Sequence, residues 1–347
     1  MNVLIGDISS YKAIVISRYF KKQYPGIKVY SFDHRKFTKI IRTKYSDTHF
    51  CIKKNNIENE IKEIIRRHKI NHFFPVINED LSKFWINQES YFNSLAYLGE
   101  YSSYKVLNNK LSLYDLALKL KIKVPLRYNS IYKAKIPYVV KPTNLSSSKG
   151  VYYIHNKQDI PDSFNNKDLI IQDYIKGQGV GYSFYCKNGD IIDAYGHLRI
   201  SEYPVTGGSS TYRTSFQDRR MHDIASKIVS HLNYTGFAMF EFKLTENNDI
   251  YLIEVNPRIW GSINQGLVNG VNYFDKIINI KSYKIKFNKT INTYIAPLIY
   301  ISLFRYAIKF RYKPLVVFLK NFRSNAPDVS LIKDSRGYFS TILRKIL

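Results

Sequence analysis

Acidic residues are scarce in this sequence. Its 347 residues carry 27 Asp and Glu against 53 Lys and Arg, a formal net charge of +26. An excess of that size suits polyanionic partners: nucleic acid, phospholipid or phosphate-bearing ligands. The basic residues are scattered, and no nucleic-acid-binding motif accompanies them. The abundance of Lys, Asn, Ile and Tyr, 30 of the last, is what an A/T-rich coding bias produces. Nucleic acid is therefore not expected as a partner. Cysteine is nearly absent. Cys51 and Cys186 lie far apart, with no C-x-x-C and no His at ligand spacing, which excludes a zinc site and a disulfide framework and fits a reducing cytoplasm. Only 16 Gly and 11 Pro occur among 45% hydrophobic residues, so collagen-like and disordered classes are excluded. The start, Met1-Asn-Val-Leu-Ile-Gly-Asp7, lacks a basic n-region and a cleavage site, and no secretory leader is expected. Long apolar runs are missing too. The best, residues 294–304, is about two-thirds of a bilayer span, and Arg305, Lys309, Arg311 and Lys313 interrupt its continuation.

What remains is a globular chain long enough for two or three structural units. Apolar runs at residues 2–6, 27–32 and 72–77 alternate with helical patterns, one of them over 58–68 with Ile57, Ile61, Ile64 and Ile65 on one face. Such β-α-β alternation implies a parallel sheet covered on both faces, a Rossmann-like open sheet over residues 1–105. Its first turn, Gly6-Asp-Ile-Ser-Ser-Tyr-Lys12, lacks G-x-G-x-x-G, which argues against a dinucleotide there. A helix over 109–121 opens the next unit, 106–285. There the texture becomes strand-rich: 138–141, 151–154, 169–174, 182–186 and 191–195, a helix over 218–232, then strands 237–244 and 250–255. Lys187-Asn-Gly-Asp190 and residues 245–249 read as hairpin connections, so antiparallel pairing is expected. Residues 286–347 form a basic amphipathic C-terminal region in which Ile301, Phe304 and Ile308 share a helical face and Arg305 and Lys309 another.

The residues that carry chemistry cluster late in the middle unit. Glu241 lies on one strand and Glu254-Val-Asn256-Pro-Arg258 ends the next, so Glu241 and Glu254 converge across a short hairpin and Asn256 projects to the same side as Glu254. Three oxygen donors beside an Arg describe a site for Mg²⁺ and a phosphate-bearing ligand. Upstream, Lys141 ends an apolar strand. Asn144-Leu-Ser146-Ser147-Ser148-Lys149-Gly150 follows, a loop of small residues whose amides suit either an anion cradle or a plain hairpin turn. The run Gln172-Asp173-Tyr174-Ile175 closes another apolar strand, with Ile171 and Ile175 as candidate apolar walls.

In this order the pieces resemble the ATP-grasp superfamily: Asn109-Lys110, Val140-Lys141-Pro142, the Ser-rich loop ending Lys149-Gly150, the Gln172 to Ile175 hinge, Glu241, and Glu254-Val-Asn-Pro-Arg258. Within it, the carboxylate–amine ligase branch is the nearest likeness, of the carbamoyl-phosphate-synthase-like type, through His197-Leu-Arg199, Tyr203-Pro204, Gly207-Gly-Ser-Ser210 and Arg258-Ile-Trp-Gly-Ser262. The resemblance implies an ATP-grasp fold after the Rossmann-like sheet, two α+β subdomains with a small lid over 125–175. It implies ATP and Mg²⁺, with Mn²⁺ a substitute, as cofactors. Lys110 and Lys141 would contact phosphates, under the loop Ser146, Ser147, Ser148, Lys149 and Gly150. Adenine would lie against Gln172, Asp173, Tyr174 and Ile175. Gln178 would stand where the family usually has an acidic residue on the ribose. Glu241, Glu254 and Asn256 would bind the metal, with Arg258 on the transferring phosphoryl group and His197 and Arg199 in the carboxylate or acceptor pocket. The implied reaction makes an acyl phosphate from a small-molecule carboxylate and hands it to an amine. Cell-envelope or surface-polysaccharide assembly, at the inner face of the membrane through the basic C-terminal region, is the setting this suggests. A kinase on the same fold and a non-catalytic nucleotide-binding module docked on membrane are the competing readings. Oligomeric state is not legible.

Overall fold

The computed structural model describes residues 1–76, 95–144, 150–160, 168–205, 207–278 and 290–346. Among them, three sheets form. The first is built from β1 (Asn2–Ile5), α1 (Tyr11–Gln23), β2 (Lys28–Asp33), β3 (Thr48–Cys51), α2 (Ile57–Arg67) and β4 (His72–Phe74), in strand order β3-β2-β1-β4. All its pairings are parallel, as the alternation requires. Ser10 starts α1 by accepting the Ala13 amide on its side chain, which satisfies one orphan donor of the first turn. On α2 the buried residues are Ile57, Ile61, Ile64 and Ile65, which join Leu4, Tyr30, Phe32 and Phe73 in one core. On α1, Ala13, Val15, Ile16 and Phe20 pack with Phe74, Phe237, Trp260 and Ile263, so the first sheet shares a core with the last part of the middle unit.

Two helices follow, α3 (Tyr101–Asn108) and α4 (Lys110–Lys119), hinged at Asn109, whose side chain accepts from the Leu111 and Ser112 amides, both at 3.0 Å. A small antiparallel sheet comes next: β5 (Arg127–Tyr128), β6 (Tyr138–Pro142), β7 (Tyr152–Ile154) and β8 (Leu169–Asp173), in order β5-β8-β6-β7. The large sheet contains β9 (Gln178–Lys187), β10 (Asp190–Tyr203), β11 (Ser209–Ser215), β12 (Gly236–Leu244) and β13 (Ile250–Asn256), with α5 (Arg219–His231) between β11 and β12. Asn188 and Gly189, at φ 50° and 84°, make the tight β9–β10 turn expected from Asn-Gly.

Two strands of the middle unit differ from the sequence expectation. Strand β10 does not stop at 195 but runs to Tyr203, with register irregularities around Ser201, and β11 was not anticipated. From His197 to Ser201 the stretch does alternate, with His197 and Arg199 facing the polar cavity and Leu198 and Ile200 packed in apolar clusters, and the alternation is broken only where the register shifts around Ser201. The C-terminal region, for its part, is woven into the body. After α6 (Ile263–Val268) and α7 (Asp275–Ile278), β14 (Thr293–Tyr294) pairs with β11. Then α8 (Leu298–Ile308) and α9 (Lys313–Lys320) lead to β15 (Ala326–Pro327), parallel to β14, and α10 (Ser335–Ile346) closes the fold. Among the described residues no helix is long and apolar enough to cross a membrane.

The tie that holds this last segment is ionic. Arg213 on β11 donates to the Asp328 carboxylate, and both side chains are essentially fully buried. Asp328→Ala would strand a buried guanidinium, so we expect a loss of about 3–5 kcal/mol in urea unfolding. A change below about 1 kcal/mol, the range of an exposed pair, would show that the ion pair does not anchor the segment.

Candidate active site

The side chains singled out in the sequence come together around one cavity of about 410 Å³ between the small sheet, the large sheet and the first turn of the parallel sheet. Strand pairing does most of the assembly. Glu241 and Glu254 are direct partners across β12 and β13, and Asn256, two residues on, donates from Nδ2 to Glu241 Oε1 at 3.0 Å. Arg258 donates to Asn256 Oδ1 at 2.9 Å. From β10, Arg199 donates to Glu241 Oε2 and lies 3.5 Å from Glu202. The start of α4 is pinned to the end of β6 by the Lys110 amide, which donates to Thr143 O at 2.9 Å. That bond sets Lys110 and Lys141 side by side. Lys110 Nζ lies 3.4 Å from Glu254 Oε2, and Lys141 Nζ reaches across to Ile253 O on the large sheet at 3.3 Å.

The ionisations follow from this packing. Burial pushes the Lys141 ammonium down, and Lys110 adds to that against the pull of Glu254 and Glu241, leaving its pKa at about 8. Burial would raise the Glu254 carboxyl, but Lys110, Lys141 and Arg199 together outweigh it and hold it below its ordinary value. Glu241, where burial outweighs Arg199, is shifted upward. His197 is buried and stays neutral, its pKa driven far down first by desolvation and then by Arg199 and Arg213. Its ring occupies the space over Gly181, where a Cβ would collide with it.

Not every expected residue is where the sequence put it. Gln172, Asp173, Tyr174 and Ile175 do line the cavity, with Asp173 accepting from the Tyr128 hydroxyl at 2.6 Å. Ser146, Ser147, Ser148 and Lys149 lie outside the described residues. Gly150 holds a left-handed turn, φ +69°, just before the wall residue Val151 and is not itself part of the lining. Gln178 is exposed and off the cavity. Alternation along β9 turns Gly179 inward instead, and the side chains against it are Arg199 and Glu202 from β10. Ile171 belongs to the opposite face, packed with Tyr138, Val140 and Ile154, and the apolar walls include Val139, Val151, Ile175, Met239, Phe242 and Ile253. The sequence reading missed Tyr153, Ser10, Tyr11, Lys12 and Arg344, all cavity-lining. Tyr153 was legible as the residue two after Val151 on one strand face, whereas Arg344 had no local signal.

Residues 107–262 match the family described as the ATP-grasp domain. Over those residues, a little under half of its length, the chain is similar to the ATP-grasp domain family. A D-alanine--D-alanine ligase of Petrotoga mobilis is 22% identical over 166 residues, 42% of this chain and 55% of that protein, so the chain spans little more than half the length of this curated relative. Among solved structures, the L-amino acid ligase from Bacillus licheniformis superposes with a TM-score of 0.61 at 15% identity, covering 85% of this chain and 80% of that one. The biotin carboxylase domain of the Hydrogenobacter thermophilus 2-oxoglutarate carboxylase, solved with MgADP, ADP and bicarbonate, gives 0.63 at 13% identity, covering 84% and 73%. At those identities the likeness is one of fold. Within the matched residues the small sheet β5–β8 and the large sheet from β9 stand on either side of the cavity, and Lys141 bonds to Ile253 O between them.

The depressed Lys141 has a measurable consequence. An unfolded Lys titrates near about 10.4, so between about pH 8 and that value the unfolded chain binds the extra proton and stability rises with pH. We expect the parent to gain on the order of 3 kcal/mol relative to Lys141→Met across that window, read from urea midpoints. Parallel pH profiles for the two proteins would contradict the assignment.

Proposed function

We propose that this protein is an ATP- and Mg²⁺-dependent ligase that activates a small-molecule carboxylate as an acyl phosphate and couples it to an amine. One observation carries the reading. Seven cations, Lys12, Lys110, Lys141, Arg199, Lys243, Arg258 and Arg344, face only four carboxylates, Asp173, Glu202, Glu241 and Glu254, around a single cavity. Such a surplus, partly desolvated, is costly until a polyanion fills it, and a nucleoside triphosphate brings the required charge. The names of the ligases to which the chain is similar in sequence and fold favour carboxylate–amine coupling over other uses of the nucleotide.

The donor set also suits the metal. Glu241, Glu254 and Asn256 offer hard oxygens at neighbouring positions, and among the described residues no cluster of three His, Cys, Asp or Glu side chains exists that could hold a metal without help. Two carboxylates and an amide carbonyl, completed by phosphate oxygens and water, are what Mg²⁺ takes, and Mn²⁺ would accept the same set. Bound there, the ion would supply positive charge that offsets charge developing on the transferring phosphoryl group.

The chain's own residues do the rest. A substrate carboxylate oxygen attacks the γ-phosphorus as the bond to the ADP oxygen breaks. The amine nitrogen then attacks the acyl carbon, phosphate leaves and the nitrogen sheds a proton. Lys110 and Lys141 hold the phosphates, and Arg258 steadies the transferring group. Val139, Val151 and Ile253, with the backbone of Gln172 to Ile175, would hold the adenine. Arg199, the loop Gly207 to Ser210 and the neutral His197 shape the pocket for the carboxylate or the amine. No protein nucleophile is needed, since positioning and charge neutralisation dominate phosphoryl transfer.

We expect substrate-stimulated ADP release when amino acids and uronic or amino sugars are screened with amines. Glu254→Gln and Arg258→Met should each lower it by about 10²–10³-fold while the melting temperature stays near the parent's. A stable phosphorylated product without an amide would replace the ligase by a kinase. Absence of Mg·ATP binding would end the reading altogether.

A further inference from the structure

The fold accounts for only one face of the helical hairpin α8–α9. On that face Ile299, Ser302, Leu303 and Phe318 pack against Tyr212 of the large sheet or bond to it, and Ser302 donates to Glu202 O at 2.9 Å. The opposite face is just as apolar, and among the described residues nothing covers it. Ile301, Phe304, Ile308, Phe310, Leu319 and Phe322 remain between 45% and 82% exposed. Spacing explains the arrangement: Ile301, Phe304 and Ile308 recur at helical intervals on the side away from Ile299 and Leu303. Phe310, the most exposed of them, sits at the tip between the helices with φ +56°.

The charge around this face has one sign. Arg305, Lys309, Arg311, Lys313, Lys320 and Arg323 are all exposed. In the sequence no Asp or Glu occurs between Asp275 and Asp328. A contiguous apolar patch rimmed by charge marks an interaction surface rather than a solvated one. A second copy of the chain is a poor occupant, because a two-fold contact would press like charges together with no carboxylate between them. An anionic bilayer satisfies both halves of the surface at once. Its headgroups pair with the cations, and the aromatic and aliphatic side chains enter the acyl boundary to a depth of about 5–10 Å.

We propose that α8, α9 and the turn between them dock this protein on the surface of an anionic membrane, with Phe304, Phe310 and Phe322 as the inserted anchors. The hairpin lies on the bilayer without crossing it. Ser302, on the inner side of the docked helix, is one hydrogen bond from the strand that supplies the cavity-lining Glu202, so the site stands close to the lipid surface. The docking is independent of the chemistry in the cavity.

Flotation of the full chain with vesicles tests this. The parent should float with phosphatidylcholine vesicles containing about 30% phosphatidylglycerol and not with phosphatidylcholine alone, and salt should weaken the association. The variant Phe304→Ser/Phe310→Ser/Phe322→Ser should bind the anionic vesicles at least about tenfold more weakly with an unchanged melting temperature. Should the triple variant unfold, Phe310→Ser alone serves, and a measurable loss of flotation is again expected. Three results would overturn the proposal: no flotation of the parent on anionic vesicles, undiminished flotation of the folded serine variants, or a parent dimer in light scattering that the serine variant dissolves.

Discussion

Two carboxylates placed opposite each other on adjacent strands repel, and Glu241 and Glu254 are held in that relation by the β12–β13 register inside a cavity wall. The pair persists because cations arrive from three other elements: Lys110 from the start of a helix, Lys141 from the small sheet and Arg199 from β10. Charge neutrality at one pair of acids thereby fixes how the helix and two sheets sit together. The compensation overshoots, since the basic side chains lining the cavity outnumber the acids, and burial, with Lys110 beside it, depresses the Lys141 pKa. A polyanionic ligand would relieve that imbalance, which ties the electrostatics of the empty fold to the chemistry proposed for it.

A second constraint binds the ends of the chain. Arg213 and Asp328 close a buried ion pair between β11 and the segment after α9, while Arg344 on the last helix reaches Asp7 and Ser9 at the end of β1. Ligands of open α/β sheets bind beyond the carboxyl ends of the strands, and this is the place where the first turn, the last helix and Arg258 meet the cavity. Once these ties are made, α8 and α9 have one face committed to the large sheet and the other left to an outside surface.

Much of this was legible before any coordinates. Ile57, Ile61, Ile64 and Ile65 announce an amphipathic helix by spacing alone, and the alternation of such helices with short apolar runs dictates a parallel sheet. Asn188-Gly189 announces its hairpin because few other dipeptides tolerate two positive φ angles. Glu254 and Asn256 were readable for a related reason, since residues two apart on a strand share a face and had to converge wherever β13 was placed, while Lys110 and the order of the whole set came through the family resemblance. By contrast, β11, Ser-Ser-Thr-Tyr-Arg-Thr-Ser, was obscured because it has almost no apolar residues by which a strand is recognised, and β10 beyond Tyr195 was missed although His197 to Ser201 alternates. Gln178 was mistaken for a cavity residue by one position, and in a structure of period two one position is the opposite face.

The sequence by itself determined the elements, their order and the kinds of side chain available for phosphate and metal, because these follow from local periodicity and from the chemistry of individual residues. Only the tertiary structure decided that Gly179 rather than Gln178 faces the cavity, that Ile171 is core and not wall, and that Arg344 joins residues some 335 positions away in the chain. It alone decided that the basic C-terminal segment is part of the body on one side and bare on the other. Register and long-range packing set those outcomes, and neither is encoded in any window of sequence short enough to be read locally.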